Sequence, residues 1–431
     1  DITGPQFWGG SGGTSAYSIG TTSCNIGDTN LLWDDSEFDG TPANLHPVMS
    51  QNIFRLKDGR LEHIGQSWLK HAFCALQFSG LCDTCDPAGF GCISELGPGC
   101  HDPYSAGLNG SQSGMGAKFE INASTGEFPW PFTGDGTSGG VLFKRIQVDN
   151  DDLDPAQNEG ALYFGEGMYV APDDAAADND NNNASYKRIS VGNFFNGGYD
   201  LDFTGSTQRG QPAIQAWQDF EDGVELVAVD VPNDGRFWVG SKVIDNGDGT
   251  YRYEYAIQNL NSHRSADELA VFLGDNVNVT DVGFKDIDYH SGEPFDNTDW
   301  SSSVSGPAVR WTSPQTFDEN EFTNALRWAT LYNFWFTADT PPTDGEAQLS
   351  LFRPGTPEAM TVTVPVPSAG VTPPCNPADL AEPLGVVDGA DVNAFVSAFG
   401  LGQAEADLND DGVIDGADVN TFITAFGAGC P

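Results

Sequence analysis

Apolar residues alternate with polar ones in short runs between residues 226 and 366, and this pattern predicts β-strands. The clearest runs are 236–240, 251–257, 268–273 and 361–364. Between the first two runs, residues 245–249 contain an Asn-Gly and an Asp-Gly pair. These pairs favour a tight hairpin turn over half of a calcium loop. Strands and turns at such regular spacing indicate an antiparallel β-sandwich over residues 226–366.

The chain before residue 226 is less regular but is also rich in turn residues. Residues 1–30 are rich in Gly, Ser and Thr and predict an N-terminal arm, and residues 31–225 predict a first β domain. Residues 367–374 contain Pro, Ser and Gly and predict a linker. We therefore expect a mainly β chain, with two disulfide-braced antiparallel β-sandwich-like domains followed by a small α-helical, EF-hand-type module at 375–431.

The pattern changes at residues 407–418, where side chains that carry oxygen recur at alternate positions. The predicted calcium ligands are Asp407, Asn409, Asp411, the carbonyl of Val413, Asp415 through a water, and Asp418. Calcium takes six to eight oxygen ligands, and this spacing supplies them around a turn at Gly412. Residues 419–426 are apolar at helical spacing and predict a helix directly after the loop.

An earlier copy of this loop-helix unit lies before it in the chain. The segment 387–393 (VDGADVN) is repeated at 414–420 as IDGADVN. The earlier loop is one residue longer, and Glu382, Pro383 and Leu384 stand where the later loop has Asn-x-Asp. Asp379, Asp388 and Asp391 therefore predict a weaker calcium site.

The duplicated unit at 375–431 resembles a type I dockerin of the variant that ends near Gly429-Cys430. The resemblance implies attachment to a cohesin-type or cell-surface partner; the alternative is a self-contained cap stabilised by calcium. Cys375 and Cys430 bracket the module, so we expect a disulfide that contributes ~3–4 kcal/mol by constraining the unfolded chain.

Charge and composition set the compartment. The 431 residues carry 18 Lys and Arg against 62 Asp and Glu, a formal net charge of −44. Such a charge disfavours nucleic acid as a partner and favours cations and high ionic strength. Eight cysteines favour an oxidising compartment, and no apolar run approaches a membrane span. The chain opens at Asp1 without Met, so we expect a processed bacterial protein, secreted into a saline environment and associated with the cell surface.

Two motifs in the first domain suggest a different chemistry. They are Gly65-Gln66-Ser67-Trp68-Leu69-Lys70-His71-Ala72-Phe73-Cys74 and Gly99-Cys100-His101-Asp102-Pro103-Tyr104. Together, over residues 42–190, they resemble the lysyl oxidase catalytic domain. The resemblance implies that Lys70 and Tyr104 occupy the positions that form the lysine tyrosylquinone cofactor. Without that crosslink, Tyr104 would be a core residue with a satisfied hydroxyl, and Lys70 a snorkelling cation or a partner of Asp102.

The copper site of this family is incomplete here. Lysyl oxidases hold copper with a His-x-His-x-His run, but residues 42–46 retain only the last histidine, His46. One imidazole does not hold copper(II), so we expect calcium and not copper as the metal. His63, His71 and His101 could substitute, although their spacing does not show that they converge.

The other cysteines and two acidic loops leave alternatives open. Cys24, Cys74, Cys82, Cys85, Cys92 and Cys100 allow fifteen pairings, and disulfides are favoured over zinc at the Cys82-x-x-Cys85 pair. The acidic loops at 173–183 and 286–299 suggest ion or sugar binding, but solvated turns are the simpler interpretation.

Three functions follow from these patterns. The first is a non-catalytic extracellular structural or surface protein that anchors, or self-assembles, through its calcium module. The second is a polysaccharide-binding accessory protein of a cohesin-docked complex. The third is a copper and quinone amine oxidase. The sequence contains no Ser-His-Asp signature, phosphate-binding loop or basic patch.

Overall fold

A computed structural model describes residues 1–34, 45–368, 375–381, 386–409 and 411–430. Among these residues, β-strands are the main secondary structure. The chain divides into two compact units, one made of residues 1–273 and 277–366 and the other of residues 274–276 and 367–431. The first unit is mainly antiparallel β, as predicted. No helix among the described residues is long and apolar enough to cross a membrane.

The first thirteen strands lie before residue 209. They are β1 (Ile2–Ser11), β2 (Thr14–Cys24), β3 (Leu31–Leu32), β4 (Val48–Lys57), β5 (Arg60–Gln66), β6 (Leu69–His71), β7 (Glu95–Leu96), β8 (His101–Tyr104), β9 (Met115–Gly116), β10 (Ile146–Asp149), β11 (Leu162–Val170), β12 (Ala184–Phe195) and β13 (Gly198–Gln208). One sheet has the order β1-β2-β10, with β8 also paired to β2, and another has the order β13-β12-β11-β4-β6-β9, with β5 paired to β4. Strands β3 and β7 form a small separate pair.

Ten further strands follow. They are β14 (Glu225–Asp230), β15 (Arg236–Asp245), β16 (Tyr251–Asn259), β17 (Ala266–Phe272), β18 (Val279–Lys285), β19 (Ser301–Ser305), β20 (Ala308–Thr312), β21 (Thr330–Ala338), β22 (Pro342–Leu351) and β23 (Ala359–Pro367). They form two five-stranded sheets, β14-β15-β16-β21-β18 and β19-β20-β17-β22-β23. The four predicted strands and the hairpin between β15 and β16 are confirmed. One apolar cluster, which includes Tyr253, Trp311 and Phe334, fills the space between the sheets.

Helical segments are short in the first unit. They are α1 (Ala106–Asn109), α2 (Asn150–Leu153), α3 (Pro172–Ala176) and α4 (Gln215–Phe220), with 3₁₀ turns at Gln112–Gly114, Lys118–Glu120 and Asp180–Asn182.

Residues 2–24 belong to a sheet and do not form the predicted arm. Ile2, Tyr17 and Ile19 are buried in an apolar cluster shared with β4, β5, β10, β11, β12 and β13. Three of the six glycines of this segment, Gly9, Gly10 and Gly20, serve close packing. A Cβ on Gly10 would lie 2.0 Å from the carbonyl oxygen of Gly197, so this glycine reflects contact with neighbouring backbone and not a flexible chain.

The two predicted β domains correspond to two sets of sheets within one compact unit. A shared apolar cluster contains Phe54 and Phe164 from the first set and Ala256 and Leu331 from the second. Polar contacts add to this junction: Arg60 donates to both carboxylate oxygens of Glu254 at 2.7 Å. Residues 226–366 contain no cysteine, so disulfides brace only the first set of sheets, in contrast to the prediction for both.

The second unit contains two helices of equal length. They are α5 (Gly389–Leu401) and α6 (Gly416–Ala428), with a 3₁₀ turn at Ala404–Ala406 between them. The rings of Phe395 and Phe422 stack with centroids 4.3 Å apart, and Cys375 and Cys430 form a disulfide. Most of the predicted linker, residues 369–374, lies outside the described residues.

Candidate functional site

The loop before α6 turns its polar side chains toward its own backbone. The amide of Asp411 donates to the side-chain oxygens of Asp407 at 3.2 Å and Asn409 at 3.1 Å. Gly412 donates to the other oxygen of Asp407 at 2.8 Å, and Val413 donates to Asp411 at 2.9 Å. Gly412 has a φ of +80°, the left-handed turn that glycine adopts readily. Three oxygen-bearing side chains therefore converge on one tight turn.

Asp418 joins this loop to the helix behind it. One of its oxygens accepts N–H bonds from Leu408 at 2.9 Å and Asn409 at 3.3 Å, and the other accepts from Asp415 at 2.8 Å. These bonds, the one from Asp415 above all, lower the pKa of Asp418, so it is ionised at neutral pH. A hard cation prefers this kind of donor set, made of carboxylate, amide and carbonyl oxygens. The donor types of this loop therefore suit calcium, although the described carboxylates of the loop do not form a group of three within 4.8 Å of one another in this structure.

The earlier loop repeats one part of this arrangement. Asp391 accepts from Leu380 and Ala381 at 2.8 Å through one oxygen and from Asp388 at 2.7 Å through the other. The bonding of Asp391 therefore matches that of Asp418. Because Asp388 also begins α5 as its N-cap, both residues have structural roles with or without a metal.

The remaining predicted ligand of the earlier loop faces the disulfide. Asp379 accepts the backbone N–H of Cys375 at 2.7 Å. Asp379 also lies close to the sulfurs of Cys375 and Cys430, but these sulfurs are bonded to each other and offer no thiolate. The substitutions that distinguish the two loops, residues 382–384, lie outside the described residues.

Lys70 and Tyr104 both lie near the ring of Phe73. The Lys70 ammonium lies 5.2 Å from the centroid of Phe73, and the Tyr104 ring lies 5.4 Å from it. The Tyr104 hydroxyl donates to the carbonyl of Cys74 at 2.8 Å and accepts the N–H of Phe73 at 3.1 Å. Lys70 donates to the carbonyl of Gly114 at 3.4 Å. Tyr104 is thus a core residue whose hydroxyl is bonded to backbone, and burial raises its pKa.

Asp102, in β8 two residues before Tyr104, is also buried. One of its oxygens accepts the N–H of Leu76 at 2.9 Å, and the other has no partner among the described residues. Burial raises the pKa of Asp102 to about 7.

His46 contacts His71, one of the three histidines considered as substitute copper ligands. Its Nε2 lies 2.9 Å from the Nδ1 of His71, and the His71 ring stacks on Phe132 at 3.6 Å. Burial lowers the pKa of His71 well below its usual value, so its imidazole is neutral, which is the form that binds metals. Two imidazoles do not match the three-histidine copper site of lysyl oxidases. Within the described parts of the chain, Cys375, Asp379 and Cys430 form the one group of three potential ligands, so the copper set does not fit.

His63 and His101 have other neighbours. His63 shares a hydrogen bond with the carbonyl of Gly65 at 3.0 Å and stacks on Phe54. His101 lies at the start of β8 with its ring 5.7 Å from Phe78. Neither of these contacts involves His46.

All eight cysteines are described, and all of them pair. The disulfides are Cys24–Cys82, Cys74–Cys92, Cys85–Cys100 and Cys375–Cys430. The two cysteines of the Cys82-x-x-Cys85 pair therefore belong to different disulfides and do not form a zinc site. Their pairing braces the segment that carries both lysyl-oxidase-like motifs.

The acidic loop at 286–299 packs between the two sets of sheets. His290 shares a hydrogen bond with the carbonyl of Gln66 at 2.8 Å, and Gln66 donates to the carbonyl of Asp288 at 2.9 Å. The carboxylate of Glu293 accepts backbone N–H bonds from Lys118 and Phe119. This loop is therefore part of the junction between the sheets, which argues against the solvated turn suggested by its composition.

The other acidic loop, at 173–183, borders a cavity of about 740 Å³. Asp173 accepts the N–H of Leu32 at 2.6 Å, and Asp174 accepts from Asn183 at 2.5 Å. The cavity is lined by Asp and Asn side chains and Tyr169, and also by apolar residues such as Ile26, Leu31 and Trp33. Its volume is in the range of small-molecule sites.

Sequence reasoning overlooked a group of buried ionisable residues. Lys118, Lys144 and Glu166 are each at most 2% exposed. Single charged residues within apolar segments form no distinctive sequence pattern. The residues that surround them in the fold come from distant parts of the chain.

Comparisons with known proteins identify no family. No family model and no curated protein matches the chain. Among solved structures, the N-terminal domain of the Streptococcus gordonii adhesin Sgo0707 aligns with 82% of this chain at 7% identity and a TM-score of 0.19. The alignment spans 60% of that adhesin domain, and a TM-score this low carries no argument about fold or function.

Proposed function

We propose that this chain is a secreted, calcium-stabilised, non-catalytic structural or surface protein that is anchored or assembled through its dockerin-like C-terminal module. The observation that carries this proposal is the loop at 407–418. Asp407, Asn409 and Asp411 present oxygens around one turn, and Asp418 links the turn to α6. Calcium binding would join the loop and the helix into one rigid unit.

An apolar surface on the module supports a docking role. Val396 on α5 and Ile423 on α6 are each 62% exposed, and they occupy equivalent positions of the two repeats. Val392, one turn before Val396, is also exposed. Exposed β-branched residues at equivalent places on two helices offer a hydrophobic contact to a cohesin-type domain, to a surface protein or to another copy of this chain.

Features of the first unit support a scaffold role. Three disulfides brace residues 24–100, and ion pairs such as Arg60 with Glu254 join the two sets of sheets. The net charge of −44 favours solubility in salt water. These properties suit a protein that must stay folded outside the cell.

Calcium titration of the full chain tests the metal part of this proposal, with two matched variants. Asp418→Asn should lower the calcium affinity by ~10-fold or more, because it replaces a charged oxygen ligand. Asp391→Asn is the control, since Asp391 accepts the equivalent backbone N–H bonds in the earlier loop. Equal losses in both variants, or no calcium binding by the wild type, would contradict the proposal.

Partner binding tests the anchoring part. The full chain in calcium should bind a cohesin-type domain from a purified panel, or should form larger assemblies on size-exclusion chromatography. Val396→Asp combined with Ile423→Asp should abolish either result while calcium affinity stays unchanged. Absence of binding and of assembly in the wild type would leave only the calcium-stabilised cap.

Polysaccharide binding is a second candidate, favoured by the cavity beside residues 173–183. Amide and carboxylate groups near Tyr169 suit the hydroxyls and apolar faces of sugars. A pull-down on a panel of insoluble glycans tests it, and retention should fall when Asn179 and Asn182 are replaced by Ala. The oxidase alternative has less support, because the described histidines do not supply the family's copper ligands.

A further inference from the structure

Strand β19 is ordered although it buries little of its surface. All five of its residues, Ser301–Ser305, are exposed, so neither face of the strand packs on the core. The strand is held at both ends, since Trp300 before it is 4% exposed and Ala308 and Val309 after it are fully buried. Ordering a strand costs backbone entropy, which burial or hydrogen bonds must offset. In the single chain β19 gains its pairing with β20 and little burial, so a second contact would stabilise it.

This strand is also an edge without protection against pairing. The sheet has the order β19-β20-β17-β22-β23, so one side of β19 is open. The other three edges of these two sheets carry features that oppose pairing: β14 has an acid at each end, β18 has an irregular register, and β23 contains two prolines. Strand β19 pairs with β20 in an unbroken register and contains neither charge nor proline. Such an edge is a template for another strand.

The turn between β19 and β20 determines which backbone groups face the open side. The turn has two residues, so Ser305 and Ala308, which close it, form a hydrogen-bonded pair. Hydrogen-bonded and non-hydrogen-bonded pairs alternate along an antiparallel ladder. The backbone N–H and C=O groups of Ser302 and Val304 therefore point away from β20, toward the open edge.

The charge along this edge suits a second copy of the chain. The net charge of −44 opposes contact between two copies wherever acids are exposed. Residues 300–309, however, contain no charged side chain. Arg310, which lies opposite Ser303, is paired with Glu268 at 2.6 Å. An identical strand therefore meets no like charge on β19, and a basic partner finds no acid on it.

We propose that β19 pairs with β19 of a second copy, in antiparallel direction and around a two-fold axis at Ser303. In this register Ser302 of each copy lies opposite Val304 of the other, so their outward N–H and C=O groups form hydrogen bonds. Asp299 lies beside the turn of the other copy and not beside its own counterpart. The two five-stranded sheets then continue into each other across an isologous contact.

This contact goes beyond the proposed function and does not depend on the calcium module. Pairing of five residues buries a small area, so we expect a weak dimer whose population depends on concentration. If the module supplies another contact between copies, the two contacts together link chains into larger assemblies.

Sedimentation of the full chain over a concentration series tests the pairing. The wild type should show a monomer–dimer equilibrium that is equal in calcium and in EDTA, and that persists in Val396→Asp combined with Ile423→Asp. Ser302→Pro should raise the dissociation constant by ~10-fold or more, because proline removes an outward N–H and leaves the bonds to β20 in place. Ser302→Thr keeps this N–H and is the matched control, which should dimerise like the wild type.

A cysteine crosslink tests the register independently. The eight native cysteines are all in disulfides, so an introduced cysteine is the one free thiol. Ser303→Cys places this thiol beside its counterpart at the two-fold axis and should give a covalent dimer on mild oxidation. Ser301→Cys is the control on the same exposed strand. Its two copies would lie roughly 14 Å apart along the paired strands, beyond the reach of a disulfide.

The outcomes are distinct from those of the calcium experiments. A wild-type chain that stays monomeric at every concentration would overturn the proposal whatever its calcium affinity. A dimer that Ser302→Pro leaves unchanged would also overturn it, as would equal crosslinking of the two cysteine variants. If Ser302→Pro lowers the melting temperature of the chain, the comparison of Ser303→Cys with Ser301→Cys still decides.

Discussion

Replacing Asp102 by Asn should stabilise the first unit at alkaline pH and leave it almost unchanged at acid pH. Asp102 is 1% exposed, and one of its oxygens has no partner among the described residues. Burial raises its pKa from 3.8 to about 7. Between pH 3.8 and about 7, the folded state therefore retains a proton that the unfolded chain has released. The contribution of protonated Asp102 to folding stability is complete below pH 3.8 and is lost as the pH rises to about 7.

The magnitude follows from the size of this shift. A difference of about three pKa units, at roughly 1.4 kcal/mol each, makes burial of the ionised carboxylate cost about 4 kcal/mol. Asn retains the oxygen that accepts from Leu76 and carries no charge. At pH 4 the protonated acid places a neutral O–H group and the amide a neutral NH2 group at the unpartnered position, so they should differ by less than ~1 kcal/mol. At pH 8 the variant should be more stable by about 2–4 kcal/mol.

Urea unfolding followed by tryptophan fluorescence measures this difference. All ten tryptophans lie before residue 336, so the signal reports the first unit. Asp83→Asn is the control, since Asp83 is exposed in the same disulfide-braced segment and should change stability by less than ~0.5 kcal/mol at either pH. A gain for Asp102→Asn that is equal at pH 4 and pH 8 would refute the reasoning, as would a loss at pH 8.

Two further predictions concern covalent structure. Cys375→Ser combined with Cys430→Ser should lower the free energy of unfolding of the second unit by ~4 kcal/mol, since the disulfide closes a separation of 55 residues. Hydrogen exchange of peptides from 375–430 measures this loss, and unchanged protection would contradict the prediction. Peptide mapping of copper-treated protein should show unmodified Lys70 and Tyr104, because the Tyr104 hydroxyl is bonded to Cys74 and Phe73; a Lys70–Tyr104 crosslink would restore the oxidase alternative.

Local patterns were sufficient for the regular parts of the molecule. Strands β15, β16, β17 and β23 contain enough alternating apolar residues to be predicted. In β23 the alternation matches the burial of one face, whereas β16 is buried on both faces from Tyr253 onward. The hairpin at 245–249 follows from Asn-Gly and Asp-Gly pairs, whose backbone preferences are local. The loop at 407–418 was recognisable for the same reason, since all of its proposed ligands come from one short segment.

Long-range packing determined the rest. Strand β2 is covered on both faces, so its small residues suggested an arm where there is a buried strand. Fifteen cysteine pairings were compatible with the spacing, and the fold selected one. The sequence alone established the mainly β character, the acidic charge and the calcium-loop pattern, because each depends on neighbouring residues or on totals. The tertiary structure brought His46 to His71 and Lys118 to Gln66, since such contacts join residues that are distant along the chain.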